Sequence, residues 1–179
     1  MTQSGRDSQW MFGYGSLIWR PDFPYLDAQR AVLSGYLRRF WQGSHDHRGV
    51  PDQPGRVVTL IPAADQQCIG RAYLISADTL QSTFEQLDYR EKNGYQRVSI
   101  TLCLADGQTV PGLVYIAPTD NFAYLGDAEL ALIAKQIKHA AGPSGRNIDY
   151  LTALAGALRQ LDAYDDHVFE LESLVLSLQ

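Results

Sequence analysis

The sequence of 179 residues is poor in cysteine and in positive charge and has no long apolar run, and each shortage excludes a class of protein. No stretch approaches the roughly 18 apolar residues that a membrane-spanning helix needs, so we expect no membrane partner. The net charge of −5 argues against a nucleic-acid partner, because a phosphate-binding surface needs a basic excess. The two cysteines, Cys68 and Cys103, lack metal-ligand spacing and make no disulfide framework, which favours a reducing, cytoplasmic location.

The composition, with 45% apolar and 20% charged residues, is that of a globular protein of one ordinary domain. Residues 1–9 are polar and lack the hydrophobic region of a signal peptide, so we expect a loose N-terminal tail. Since no linker or internal repeat is visible, residues 10–179 are predicted to form a single domain. The sequence contains nothing that fixes the oligomeric state.

Strand patterns come first along the chain and helix patterns later. Apolar and β-branched residues with Gly or Pro at the boundaries predict strands over 10–14, 31–42, 56–62, 67–75, 97–104 and 110–117. Helical spacing of apolar residues predicts helices over 79–89 and 127–141, a third beginning at Asn147, and a fourth beginning at Asp165 or Asp166. The Asp106-Gly107 pair predicts a hairpin turn. This order indicates an α+β fold, a small, mostly antiparallel β-barrel flanked by helices, with a helical C-terminal third.

A glycine-bracketed run lies near the start of the chain, where residues 12–19 read Phe-Gly-Tyr-Gly-Ser-Leu-Ile-Trp. Gly13 and Gly15 allow backbone angles that are closed to other residues around Tyr14 and Ser16. A strand that ends in such a turn can direct successive N–H groups into one concavity, which suits a carboxylate or an oxyanion. A plain turn explains the same residues, and both interpretations stay open at this point.

Glu91 lies where the first predicted helix ends, since the Asn93-Gly94 pair stops the helix. A carboxylate there opposes the negative end of the helix dipole, which raises its pKa, as burial also does. A raised pKa makes a carboxylate a better base near neutral pH. The alternative is a solvated, inert Glu91 between Arg90 and Lys92.

A local basic excess lies between residues 37 and 56, where Arg38, Arg39, Arg48 and Arg56 outnumber two aspartates. Such a patch on an acidic protein suits a small anionic ligand, although solvated or salt-bridged arginines would give the same pattern.

Other kinds of chemistry lack a complete motif. His45 and His47 have no third ligand at a convincing spacing, so we predict no metal site. Ser16 lacks the following glycine of a nucleophile elbow. No phosphate-binding loop is present either, and we expect no cofactor.

The chain resembles the ChaC-like gamma-glutamylcyclotransferases in several motifs. They occur in the family's order and cover nearly all of the chain after residue 9: residues 12–19, 38–44, 46–51, 54–60, 87–95, 121 with 124–126, and 142–147. The resemblance implies the gamma-glutamylcyclotransferase-like fold. It also implies a lyase of glutathione catabolism that cleaves glutathione into 5-oxoproline and cysteinylglycine.

The same resemblance implies roles for individual residues. Glu91 takes the place of the catalytic acid/base. The substrate-binding loop comprises Gly13, Tyr14, Gly15, Ser16, Leu17 and Ile18. The substrate carboxylates are expected to meet Arg39, Arg48 or Arg56. Some relatives carry a second glutamate nine positions before the catalytic one, but here that position is Ser82, and Glu85 lies only six before it.

The implied reaction agrees with the residues present. The substrate's own α-amine attacks its γ-amide carbonyl, so no protein nucleophile is needed and one carboxylate suffices to move the protons. Two alternatives stay open: a cyclotransferase for other gamma-glutamyl amino acids or amines, and a non-catalytic module that binds anions or regulates a partner.

Overall fold

The computed structural model describes residues 8–179, and within them five strands close into a barrel in the order β1-β3-β2-β4-β5. The strands are β1 Gln9–Gly13, β2 Asp27–Ser44, β3 Gly55–Ile75, β4 Gln96–Leu104 and β5 Thr109–Ile116. All neighbours pair antiparallel except β1 and β5, which are parallel. This confirms the predicted small, mostly antiparallel barrel. The predicted tail lies outside the described residues up to residue 7, and β1 begins at Gln9, one residue before its predicted start.

The predicted strands 56–62 and 67–75 are not separate, because both belong to β3, which runs for 21 residues along β2. The pairing register shifts between Ser34 and Tyr36, where β3 contains more residues than β2. Gly35 and Asp65 adopt left-handed backbone angles there, with φ of 86° and 62°. Residues 63–66, which read Ala-Ala-Asp-Gln, therefore form a mostly exposed irregularity within one strand and not a break between two strands.

Four α-helices in the described part supply the other layer: α1 Ala77–Arg90, α2 Leu130–His139, α3 Asn147–Gln160 and α4 Asp166–Ser177. α4 begins at Asp166, one of the two predicted starts, and the side chain of Asp165 caps it by accepting from the Val168 N–H at 3.1 Å. The side chain of Ser76 caps α1 by accepting from the Asp78 N–H. The prediction of helix over 127–141 was too long, because the two-residue strands β6 (Ala141–Gly142) and β7 (Gly145–Arg146) pair after α2.

Two apolar clusters hold these layers together. In the larger one, α2, α3 and α4 pack on the barrel around buried side chains such as Phe40, Leu60 and Leu151. In the smaller one, Leu87 of α1 packs with Tyr73 and other residues from the first strands. Among the helices of residues 8–179, none has the length and apolar character to cross a membrane.

Candidate active site

The glycine run forms a tight turn directly after β1. β1 ends at Gly13, and one turn of 3-10 helix follows over Ser16–Ile18. A side chain at Gly13 would place its Cβ 2.8 Å from the Leu17 Cβ, so the chain folds back on itself too closely for any other residue. The Tyr73 hydroxyl, which donates to the Leu17 carbonyl at 2.6 Å, closes the turn from the barrel side.

A buried arginine fixes the start of this turn. The Arg38 side chain, in a residue only 2% exposed, donates to the Tyr14 carbonyl at 2.6 Å and to the Ile69 carbonyl at 2.5 Å. Its third partner is the Asp165 carboxylate, 2.6 Å away, at the start of α4. A buried guanidinium with charged and polar partners defines one geometry, because any displacement leaves a buried group unpaired.

A cavity of about 260 Å³ opens beside the turn. Its walls combine residues far apart in the sequence, among them Gly15, Ser16, Leu17, Arg48, Glu91 and Tyr150. Gly13 and Ile18 do not line it: Gly13 allows the turn, and Ile18 is buried in the larger apolar cluster. The structure thus brings the middle of the predicted loop together with the predicted catalytic residue.

Glu91 is the residue at which α1 ends, and its own N–H donates to the Leu87 carbonyl at 2.8 Å. Its side chain faces the cavity and is 18% exposed. Burial raises the pKa of Glu91 to about 7, and the positive charge of Arg90, whose Nε lies 3.9 Å from Glu91 Oε1, offsets part of that rise. At neutral pH the carboxyl is therefore populated in both protonation states, as a group that accepts and returns a proton needs to be.

Three tyrosines line the same cavity as this carboxyl, of which Tyr14 and Tyr150 are buried and Tyr95 is half-buried. Burial raises the pKa of Tyr14, Tyr95 and Tyr150, and the charge of Glu91 raises all three further. Their hydroxyl groups therefore stay protonated at physiological pH. The Tyr95 hydroxyl donates to the Val58 carbonyl at 2.8 Å. Sequence reasoning missed Tyr150, because helical spacing assigns it to the apolar face of α3, where only its hydroxyl sets it apart.

Arg90 links the glycine turn to the end of α1. Its Nη2 donates to Ser16 Oγ at 2.8 Å, and its Nη1 donates to the Arg20 carbonyl at 2.9 Å. Sequence reasoning treated Arg90 only as a neighbour of Glu91, since nothing in a single sequence shows that residues 16 and 90 meet. Because Ser16 Oγ accepts this hydrogen bond, the hydroxyl is held in place by a cation and not by a general base.

Of the three arginines proposed to meet substrate carboxylates, only Arg48 lines the cavity. Arg56 is buried elsewhere, with its Nε donating to Gln136 Oε1 at 2.7 Å and its Nη1 to the Phe40 carbonyl at 2.9 Å. Arg39 donates to a backbone carbonyl of its own strand at 2.7 Å and does not reach the cavity. The structure therefore does not bring Arg39 or Arg56 to the candidate site.

A second carboxylate from α1 is not part of the cavity either. Glu85 is exposed and accepts a hydrogen bond from Gln81, one turn away, at 2.8 Å. Ser82 is also exposed, and its hydroxyl donates to the Thr79 carbonyl within the helix. Within residues 8–179, the structure contains no group of three or more His, Cys, Asp or Glu side chains placed to hold a metal ion.

Comparisons with known proteins agree on one family. The sequence profile of the family described as ChaC-like protein matches residues 9–178. The chain is 40% identical to glutathione-specific gamma-glutamylcyclotransferase 1 of Danio rerio, over 97% of this chain and 92% of that protein. It is 44% identical to gamma-glutamylcyclotransferase 2-3 of Arabidopsis thaliana, over 94% and 88%. A crystal structure of a gamma-glutamyl cyclotransferase specific to glutathione from yeast superposes with a TM-score of 0.89 at 31% identity, covering 96% of both chains.

Proposed function

The chain belongs to the ChaC-like family, and we propose that it is a glutathione-specific gamma-glutamylcyclotransferase, an enzyme that cleaves glutathione into 5-oxoproline and cysteinylglycine. The names of the zebrafish and yeast relatives support this substrate. One structural observation carries the proposal beyond similarity: a carboxyl with a pKa of about 7 faces a cavity that is also lined by the glycine turn.

The reaction needs no nucleophile from the protein, because the α-amine of the γ-glutamyl group attacks the γ-amide carbonyl of the same molecule. A carbon–nitrogen bond forms to close the five-membered lactam, and the amide bond to cysteine breaks. Holding both reacting groups in one folded molecule supplies effective molarities of about 10⁵ M or more. A cavity that folds the substrate therefore contributes much of the catalysis.

Glu91 is the proposed proton carrier. Its ionised form takes a proton from the substrate's α-ammonium, which frees the amine to attack. The resulting carboxylic acid then returns the proton to the departing cysteinyl nitrogen, and the second proton that the attacking nitrogen loses on becoming the lactam amide passes to solvent. A group whose pKa lies near the working pH performs both transfers efficiently, and general acid–base catalysis of this kind contributes about 10²–10⁴-fold.

The glycine turn is the proposed site of the γ-glutamyl group and of the negative charge that develops on its carbonyl oxygen. Among the described residues, the amide N–H groups of Ser16 and Leu17 have no hydrogen-bond acceptor in the protein, so they are free to donate to the substrate. The protonated hydroxyl of Tyr150 lies beside the turn, 3.0 Å from where a Cβ of Gly15 would be. Donors fixed in advance stabilise an oxyanion without reorganisation during the reaction.

Replacement of Glu91 by Gln tests the proposal directly. The amide keeps the size of the side chain but neither accepts nor gives up a proton at neutral pH, so we expect Glu91→Gln to release cysteinylglycine from glutathione at least about 10²-fold more slowly. Glu85→Gln is the matched control, since it makes the same change on an exposed turn of the same helix and should leave turnover unchanged.

The assay also separates the alternatives. Wild-type turnover by the Glu91→Gln variant would remove Glu91 from the mechanism. Equal turnover of glutathione and gamma-glutamyl-alanine by the wild type would indicate a broader cyclotransferase. No turnover of either substrate would indicate a non-catalytic module.

We also propose a cytosolic location for the enzyme. Cys68 and Cys103 both carry free thiols in the structure, which suits a reducing compartment. Cell fractionation tests this proposal, and recovery of the protein from an oxidising compartment would contradict it.

A further inference from the structure

Three arginines line the cavity, and two of them already have a carboxylate partner. Arg20 Nε lies 3.3 Å and Arg90 Nη1 lies 3.6 Å from the same oxygen, Asp22 Oδ2. Arg48 differs from both, since no carboxylate oxygen of residues 8–179 lies within 4.0 Å of its guanidinium. The cavity therefore contains one arginine whose charge the described protein leaves unneutralised.

The electrostatic surroundings of Arg48 favour an anion. Burial is the main cause of its lowered pKa, and the positive charge of Arg20 acts in the same direction, while Tyr150 and Asp149 offset part of the lowering. The nearby Asp149 is engaged elsewhere, with its two carboxylate oxygens 2.8 and 3.1 Å from the Arg146 guanidinium. A bound anion would offset the free-energy cost of burying the Arg48 guanidinium and its repulsion by Arg20. An arginine on the open surface has neither cost to offset.

The guanidinium is held in place with donors to spare. The Arg48 N–H donates to Ser44 Oγ at 2.9 Å, and its Nη1 donates to the Arg146 carbonyl at 3.3 Å. The face of the Tyr150 ring lies below it, with the ring centroid 5.8 Å from Cζ. Its Nε and Nη2 have no acceptor among the described residues, so a fork of N–H donors stays available for a carboxylate.

Tyr150 lies between Arg48 and the glycine turn, where the reaction is proposed to take place. Its hydroxyl approaches the glycine turn at Gly15, and its ring approaches Arg48. In glutathione the glycyl carboxylate lies two residues beyond the amide that breaks, about 7 Å away when the chain is extended. When the γ-glutamyl group lies between the glycine turn and Glu91, the glycyl carboxylate is the part of the substrate that remains to contact Arg48.

We infer that Arg48 binds the glycyl carboxylate of glutathione and so makes the enzyme select gamma-glutamyl substrates that carry a carboxylate at that distance. This inference rests on the proposed function, because it takes glutathione as the substrate.

The test compares glutathione with its C-terminal glycinamide analogue, which lacks only the negative charge at issue. The measurement is kcat/KM for release of 5-oxoproline, a product common to both substrates. For Arg48→Gln we expect kcat/KM to fall about 10- to 100-fold with glutathione, as for loss of a charge-assisted hydrogen bond, and less than about threefold with the glycinamide. Arg48→Lys keeps the charge without the fork and should lie between the wild type and Arg48→Gln.

Arg146→Gln is the matched control, because this neighbouring arginine is 71% exposed and its side chain faces Asp149 outside the cavity. It should leave the ratio of the two kcat/KM values unchanged. Since that ratio is measured on the same protein sample, it does not depend on how much of a variant is folded.

Equal losses with both substrates, or an unchanged value with glutathione, would overturn the role of Arg48 while leaving the proposed function intact. A wild-type enzyme that releases no 5-oxoproline from glutathione would overturn the proposed function and the inference with it.

Discussion

Replacing Glu91 by Gln should stabilise the protein at high pH while it removes the proposed proton carrier. The pKa of Glu91 is raised from 4.5 to about 7 in the folded protein, mainly by burial. Between these two values the unfolded chain has lost the proton that the folded protein still binds. The free energy of unfolding therefore falls as the pH rises from about 4.5 to about 7. Above that range, the stability that tighter proton binding by Glu91 gives the folded protein at low pH is fully lost.

The size of the effect follows from the difference between the two pKa values. At about 1.4 kcal/mol per unit of pKa difference, the rise from 4.5 to about 7 lowers the free energy of unfolding by about 3 kcal/mol at high pH. Glutamine does not titrate, so the free energy of unfolding of the variant does not decrease in this way as the pH rises. For a protein of this size 1 kcal/mol changes Tm by about 2–4 °C, so the Tm of the variant relative to the wild type should increase by about 6–12 °C between pH 4 and pH 8.5.

Thermal unfolding followed by circular dichroism at a series of pH values provides the measurement. The Tm difference between variant and wild type cancels the titration of all other groups. Glu85→Gln is again the control, since it makes the same substitution at an exposed position of the same helix. A Tm difference for Glu91→Gln that stays constant from pH 4 to pH 8.5 would refute the conclusion that Glu91 is buried with a raised pKa.

Three further substitutions test how the fold supports the site. Arg38→Leu should lower the free energy of unfolding, measured in urea, by about 3–5 kcal/mol, because it leaves Asp165 and two buried carbonyls without their donor; a loss below about 1 kcal/mol would contradict this. Gly13→Ala should lower kcat/KM at least about tenfold by forcing the glycine turn to shift, whereas Gly156→Ala, in open space on α3, should leave kcat/KM unchanged and raise stability by about 0.5–1 kcal/mol. His167, whose pKa burial lowers to about 4, makes the wild type lose stability as the pH falls from 6.5 to 4. In thermal unfolding, the Tm of His167→Gln should fall less than that of the wild type between pH 6.5 and pH 4. An equal fall would exclude His167 as the cause of the loss of stability in acid.

The sequence predicts the parts of this fold that local signals determine. The barrel strands, the helical C-terminal third and the position of Glu91 at a helix end follow from apolar spacing and from a stop at Asn93-Gly94. The continuity of β3 does not follow, because residues 63–66 give no strand signal, and β3 continues across them only because the residues on both sides pair with β2. The short β6–β7 pair is missed for the same reason, since a Gly-Pro-Ser-Gly stretch signals only a turn.

The candidate site is predictable as a set of motifs but not as a set of contacts. A single sequence contains Arg38, Arg39, Arg48 and Arg56 in one basic stretch and offers no way to rank them. Strand alternation would normally decide which side chains point inward, but the register of β2 is irregular between Arg39 and Gln42. In the structure Arg38 and Arg56 are buried among backbone carbonyls, and of the four only Arg48, from the segment between β2 and β3, reaches the cavity.

One physical cause connects the stability of this protein with its proposed chemistry. Burial holds the pKa of Glu91 near 7, and the same burial makes its ionised form unfavourable in the folded protein. A variant that exposed Glu91 would therefore gain stability above pH 7, and it would also become a weaker base toward the substrate's ammonium. Arg90 limits this conflict, because its positive charge holds the pKa of Glu91 lower than burial alone would. Its hydrogen bond to Ser16 also links the end of α1 to the glycine turn. Loss of Arg90 should therefore lower both the stability above pH 7 and the turnover, whereas exposure of Glu91 should raise the one and lower the other.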